Sequence, residues 1–158
     1  GHHATTHSMI AEMASIDFEH KSVFDFGCGT GILAILASKL GATHIDAIDI
    51  EHESYLNTLE NSSINQVSNI HVYEGDLDAA PTIMYDIILA NINRNILIKY
   101  ANDLIDRLAD HGILLLSGVL VEDKEIVIKT YLAAGMTLVS DRTLDGWICA
   151  HLRKNSLS

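Results

Sequence analysis

Basic residues are scarce in this chain of 158 residues: 10 Lys and Arg stand against 21 Asp and Glu, a formal charge of −11. A nucleic-acid surface needs clustered cations to displace counterions from phosphates. Here Lys and Arg never run beyond a pair, as at Arg153–Lys154, so no direct contact with nucleic acid is expected. Acidity of this degree keeps a protein soluble and also favours encounter with a basic partner. Cysteine is nearly missing. Cys28 lies between two glycines and Cys149 in a late apolar run, and neither has a second cysteine at zinc-ligand spacing, so metal: none is the expectation and a disulfide is not expected. Such usage fits a reducing compartment, and the chain is expected to be cytoplasmic. Long apolar runs are also lacking. "GILAILASKL" and "GILLLSGVLV" fall well short of the roughly 20 residues a membrane span needs, so no membrane association is expected. No basic segment followed by a cleavage site suggests secretion.

What is present is 48% hydrophobic residues with one proline, the composition of a folded globular domain. A domain of this size buries roughly 70% of its unfolded surface, and without repeat, low-complexity tract or linker residues 1–158 read as one domain. Strand and helix patterns alternate. "SVFDF" (22–26) is a short β-run ending at glycines, followed by a helix in "GILAILASKL" closed by Gly41. "HIDAIDI" (44–50) reads as a strand, "EHESYLNTLENSSIN" as a helix with acidic residues in its first turn, and "NIHVYE" as a third strand. "YDIILANI" (85–92) is almost wholly apolar, as suits a strand buried on both faces. "NILIKYANDLIDRLAD" places Ile96, Tyr100, Leu104 and Leu108 at helical spacing, "GILLLSG" is a fifth strand, and "VEDKEIVIKTYLAAG" is a helix. "MTLVSD" and "WICAHLRK" are separated only by "RTLDG", too short for a parallel crossover, so they form an antiparallel hairpin. The expected fold is a doubly wound α/β sheet, mostly parallel, Rossmann-like and seven-stranded, with a C-terminal antiparallel hairpin. Ligands of such sheets bind at the carboxyl ends of the central strands.

The loop after the first strand, "DFGCGTG", contains Gly27, Gly29 and Gly31. Glycines at this turn permit tight backbone angles and close approach of a ligand to bare amides. Dinucleotide enzymes show G-x-G-x-x-G, but the position that would complete that spacing is Ile32. The G-x-G-x-G spacing, preceded by Asp25, resembles motif I of class I methyltransferases that use S-adenosylmethionine; the alternatives are a structural turn or a site for another nucleotide. Asp49 ends the second strand, where a carboxylate accepts hydrogen bonds from both ribose hydroxyls or, alternatively, caps a helix. Asp76 follows the third strand, where such enzymes meet the adenine amino group; alone it is a turn aspartate.

Asn91 ends the buried fourth strand, in "ILANINRN". A buried amide must be hydrogen-bonded, so it either caps local backbone or faces a ligand. Methyltransferases of adenine or glutamine nitrogen carry Asn/Asp-Pro-Pro-aromatic here. This chain has Asn91-Ile92-Asn93-Arg94, with neither proline nor aromatic. That departure points away from a planar acceptor and toward an aliphatic amine held by the Asn91 oxygen and nearby carbonyls. Asn91 is thus the expected catalytic residue, and it also borders the cofactor.

Taken together, "FDFGCGTGILAILASKLGA", "DIILANI", "LLLSGVL" and the closing "GWICAHLRK" are similar to the catalytic domain of the ribosomal protein L11 methyltransferases, the PrmA type, over essentially the whole chain. That family carries Gly-x-His-x-Thr-Thr before a helix, which corresponds here to Gly1, His3, Thr5 and Thr6, with His2 where threonine is more usual. The histidine-rich start is therefore native sequence rather than tag remnant. Either threonine is positioned to cap a helix over "HSMIAEMASI", whose free amides suit the methionine carboxylate of the cofactor. The cofactor-binding set is then Thr5, Thr6, Asp25, Gly27, Gly29, Gly31, Asp49, Asp76 and Asn91. The resemblance further implies an N-terminal domain upstream that recognises the substrate, a ribosomal protein of the large subunit, and transfer to several lysines and the N-terminal amine. A monomer is expected. A small-molecule methyltransferase and a catalytically silent cofactor-binding module are the alternatives.

Overall fold

In the computed structural model of the chain, residues 2–156 are described. Gly1 of the amino-terminal signature lies outside them, as does the His2 side chain. Seven strands form one sheet: β1 (Ser22–Phe26), β2 (His44–Asp49), β3 (Ile70–Glu74), β4 (Tyr85–Asn91), β5 (Leu108–Leu120), β6 (Met136–Leu144) and β7 (Trp147–Lys154). Their order is β3-β2-β1-β4-β5-β7-β6. The first five are mutually parallel and β7 runs antiparallel between β5 and β6, as the hairpin argument requires. The order reverses between β1 and β4, which opens a crevice there. Register brings the strand ends together: Phe26 pairs with Ile48 on one side and Ala90 on the other, so the chain leaves β1, β2 and β4 at one edge.

Two apolar layers cover the sheet. Helices α1 (His2–Met13), α2 (Ile32–Lys39) and α3 (His52–Ile64) precede β4 in the chain; α4 (Arg94–Lys99), α5 (Ala101–Asp106) and α6 (Lys124–Ala133) follow it. Side chains alternate along β1. Val23 joins Met9, Met13, Leu33 and Ala34 on one face, while Phe24 and Phe26 join Leu97, Leu104 and Tyr131 on the other. Each fully buried Leu or Phe contributes about 1.5–3 kcal/mol, and β4, buried on both faces, sits between the two layers. No helix among the described residues is long and apolar enough to cross a membrane.

Several boundaries differ from the sequence expectation. The first helix begins at His2 and not at His7, so Thr5 and Thr6 lie inside it and neither caps it. Its buried positions are Ala4, Thr5, Ser8, Met9, Glu12 and Met13, a helical stripe hidden from hydrophobic periodicity because half of it is polar. The expected 95–110 helix breaks at Tyr100, whose φ of −102° and ψ of 14° leave helical geometry. Leu108 enters β5 instead, ahead of an irregular stretch where His111 has φ 65° and the pairing of β4 with β5 shifts register. The hairpin turn is narrower than "RTLDG". Only Asp145 and Gly146 connect the strands, with φ of 53° and 81°, the doubly positive pattern of a two-residue I′ turn.

Candidate active site

The three glycines of the β1–α2 loop all have positive φ, at 81°, 57° and 85°, but they serve different ends. A Cβ on Gly27 would overlap Ile92 Cγ2, and one on Gly31 would lie 2.8 Å from Thr58 Cγ2. One on Gly29 would meet nothing within 4 Å, because Gly29 faces an open cleft. The loop amides are not bare, contrary to expectation. Gly27 and Cys28 N–H both donate to the Ile48 carbonyl at 2.9 and 3.0 Å, and Gly31 N–H donates to the Cys28 carbonyl at 2.8 Å. Gly29 N–H donates to Asp49 Oδ2 at 2.9 Å. Four of the loop's amides are thus satisfied internally, so its glycines offer a ligand shape rather than an anion-binding nest.

Asp49 is the acid that ties the loop to the next strand. Besides Gly29, its Oδ1 accepts the Glu51 N–H at 2.9 Å. It is not the cap of α3, since Glu51 holds that position and makes no side-chain cap bond. A carboxylate has about four acceptor sites; with two used, each oxygen keeps one for a ligand in the cleft that Asp49 lines.

Asp25 sits behind the loop, not on it. Its side chain is 1% exposed, Oδ2 has no hydrogen-bond partner, and the other contact is a bond from the Ala34 amide. Burial first, and then the neighbouring Asp49 charge, push its carboxyl up to about 7 against the pull of that amide. Cys28 is likewise pushed up to about 12 by burial and next by Asp25, so it stays a neutral thiol against Thr58 Oγ1 at 3.3 Å. The sign of the Asp25 effect is testable. An unfolded aspartate titrates near 3.9, so between that value and about 7 the folded state holds more protons than the unfolded one. Its contribution to stability is largest at low pH and declines as pH rises through that window. Asp25→Asn keeps an oxygen for Ala34 and removes the charge. It is expected to stabilise the protein at about pH 8 by about 1–3 kcal/mol and to give no advantage at about pH 4. Thermal melts of both proteins across this range check it; an advantage that does not shrink toward acid removes the assignment.

Asp76 accepts the Leu77 N–H at 2.8 Å, starting a 3₁₀ turn over Leu77–Ala79. Its other oxygen accepts the Tyr100 hydroxyl at 2.7 Å. The Tyr100 bond, followed by the Leu77 amide, holds its carboxyl below the usual range. Sequence reasoning missed Tyr100 because helical spacing absorbed it into an apolar face; only the sheet order places it opposite the end of β3.

Asn91 ends β4 opposite Ser117 of β5. Among the described residues its side chain makes no hydrogen bond. Asn93, two residues on, is spent locally: its Oδ1 accepts the Ile96 N–H at 3.0 Å and caps α4. Of the two asparagines, one is a cap and the other remains for a ligand.

Thr6, Gly27, Gly29, Asp49, Asp76 and Asn91 converge on one cleft of about 750 Å³, within the size range of cofactor sites. Thr5, Asp25 and Gly31 do not line it; Thr5 is buried in the core. Residues not anticipated supply the apolar walls, among them Phe26, Ile48, Ile50, Ile92 and Ile96, while Ser54 and Asn57 come from α3. The lining holds the carboxylates Asp49, Glu51 and Asp76 and, among the described residues, no Lys, Arg or His. Among the described residues a dinucleotide pyrophosphate would find no cation there, and the Gly27, Cys28, Gly29 and Gly31 amides are already engaged. A nucleoside carrying positive charge would find acids, apolar walls and open space above Gly29, so the residues present fit a sulfonium nucleoside. A smaller cavity of about 250 Å³ shares Asn93 and includes Gly118, Leu120 and Trp147; Arg94 and Asp123 also line it and pair at 2.9 Å.

Comparison with known proteins gives the same direction. Residues 1–155 match the family described as ribosomal protein L11 methyltransferase (PrmA). A protein of that name from Porphyromonas gingivalis is 42% identical over 157 residues, which are 99% of this chain and 54% of that protein. One from Wolinella succinogenes is 38% identical over 155 residues, covering 98% and 55%. The chain thus spans about half the length of the curated relatives it matches. Among solved structures, ribosomal protein L11 methylase from Lactobacillus delbrueckii subsp. bulgaricus superposes with a TM-score of 0.91 at 27% identity, over 96% of this chain and 79% of that one. A methyltransferase from Pyrococcus furiosus shares the fold alone, with a TM-score of 0.77 at 14% identity over 94% and 83%. With its glycine loop, strand-end acids and family match all in register, this chain belongs to the ribosomal protein L11 methyltransferase (PrmA) family.

Proposed function

We propose that the chain binds S-adenosylmethionine in the large cleft and directs methyl transfer to amine nitrogens of a large-subunit ribosomal protein, at lysine side chains and the N-terminal amine. The observation that carries this reading is the cleft's charge: three carboxylates and, among the described residues, no basic side chain, around a glycine loop whose Gly27, Cys28, Gly29 and Gly31 amides are already paired. S-adenosylmethionine, when bound, supplies an electrophilic methyl group on a cationic sulfonium. Asp49, with two acceptor sites left, would hold the ribose hydroxyls, the exposed Ile50 would cover the base, Asp76 would hold the adenine edge, and Thr6 would hold the methionyl end. The Asn91 oxygen accepts from the incoming amine and aims its lone pair, so that positioning supplies most of the rate. The amine must arrive neutral. A lysine near 10.4 is mostly protonated at pH 7, an α-amine near 7.7 much less so. Among the described residues no His or Lys lines the cleft to take the proton, so it leaves to solvent before the amine docks.

A net charge of −11 suits a basic substrate protein. A ribosomal substrate favours a cytoplasmic location, and a monomer is the proposed state. The test is incubation of the full-length protein with methyl-labelled cofactor and ribosomes from cells lacking this activity. Label is expected in one small large-subunit protein, on amine nitrogens. Label confined to low-mass compounds would replace this reading with a small-molecule enzyme; cofactor binding without any transfer would replace it with a silent module.

A further inference from the structure

Ile92 follows Asn91 where planar-acceptor methyltransferases carry a proline, whose ring fixes φ. Isoleucine has no such ring, yet this residue is held from two sides. A Cβ on Gly27 would overlap Ile92 Cγ2; the bare glycine instead receives the methyl. On the opposite side a Cβ on Gly118 would lie 2.5 Å from the Ile92 carbonyl oxygen, 2.9 Å from its carbon and 3.0 Å from its nitrogen. Gly118 has φ 84° and lies where β5 and β7 lose register, between Leu116 and Val119. Ile92 N–H completes the hold by donating to the Ser117 carbonyl at 3.2 Å. The side chain thus occupies the space above one glycine and the peptide the space above another. Isoleucine is β-branched and stiff at χ1, so Cγ2 and the backbone move together.

Gly27 belongs to the donor loop and Asn91 to the acceptor side, and Ile92 is the piece between them. We infer that Ile92, seated between Gly27 and Gly118, is a positioning residue that sets the spacing between the cofactor loop and the Asn91 amide, in place of the prolines missing after Asn91. The inference rests on the proposed transfer to amines. It requires the Cγ2 methyl and the backbone position, not bulk in general.

The test compares wild-type, Ile92→Ala and Ile92→Val full-length proteins in amine methylation and, separately, in calorimetric titration with S-adenosylmethionine. For Ile92→Ala, kcat is expected to fall about 10- to 100-fold, the scale of an ångström-sized misplacement, with a clearly smaller loss of cofactor affinity, since Ile92 is one of several apolar walls of the cleft, and KM for the amine substrate within about threefold. Ile92→Val keeps Cγ2 and is expected to stay within about threefold of wild type in kcat. Unchanged kcat in Ile92→Ala with only a lower melting temperature, a loss confined to cofactor affinity, or a valine variant as slow as alanine each overturns the inference alone. Absence of amine transfer by the wild-type protein defeats the functional reading, and this inference with it.

Discussion

Asp49→Ala is expected to weaken S-adenosylmethionine binding by about a hundredfold or more. Two hydrogen bonds to a charged acceptor are worth about 1.5–3 kcal/mol each, and a loss of about 3 kcal/mol is already about 150-fold. The substitution also releases the Gly29 and Glu51 amides that the carboxylate now holds, so the loop keeps only its backbone bonds to the Ile48 carbonyl of β2. Asp49→Asn, with one amide oxygen for two backbone donors, is expected to fall between alanine and wild type. Folding stability suffers less than affinity. The Asp49 charge is the second cause of the raised Asp25 carboxyl, and removing it relieves a buried like-charge contact. The effects of Asp49→Ala and Asp25→Asn on stability are therefore non-additive. Calorimetric titration of the cofactor decides the matter: affinity unchanged in Asp49→Ala would take this carboxylate out of the site.

Asn91→Ala is expected to lower the rate of amine methylation about a hundredfold or more, while cofactor affinity changes by less than about tenfold. The reason is the division of labour within the cleft. Asp49 and the glycine loop occupy the β1–β2 side, and Asn91 stands on the β4 side. Its amide makes no internal hydrogen bond among the described residues, so its loss leaves no buried donor stranded and the fold is little affected. Asn93→Ala makes the contrast. That substitution removes the α4 cap and is expected to reduce stability by about 1 kcal/mol, with a smaller loss of rate. Steady-state kinetics beside thermal melts separate the two; equal kinetic losses at both positions would deny Asn91 its special role.

Much of this architecture is legible without coordinates because it is encoded over short distances. The apolar run of β4, the glycines after β1 and the turn between β6 and β7 each report on their own neighbourhood through a period or a φ requirement. Strand type, helix order and the hairpin follow, and with them the edge of the sheet where a ligand sits. The errors fall where local and tertiary preferences conflict. Two adjacent threonines look like a helix start, yet α1 continues through them because burial of Ala4, Thr5, Ser8 and Met9 outweighs a weak β-branched penalty. Tyr100 fits a helical stripe, yet it breaks the helix as its hydroxyl reaches Asp76.

By itself the sequence determined the alternation of strands and helices, the glycine loop and the acids and amide at the strand ends, because each is a matter of residues a few positions apart. Only the tertiary structure decided which of them face the cleft and which lie behind it. It buried Asp25, turned Thr5 inward, paired the Gly27, Cys28, Gly29 and Gly31 amides internally and set Ile92 between Gly27 and Gly118. Those outcomes depend on contacts between segments far apart in the chain. No local period records them, because hydrogen-bond partners and steric room exist only once the sheet has brought the strand ends together.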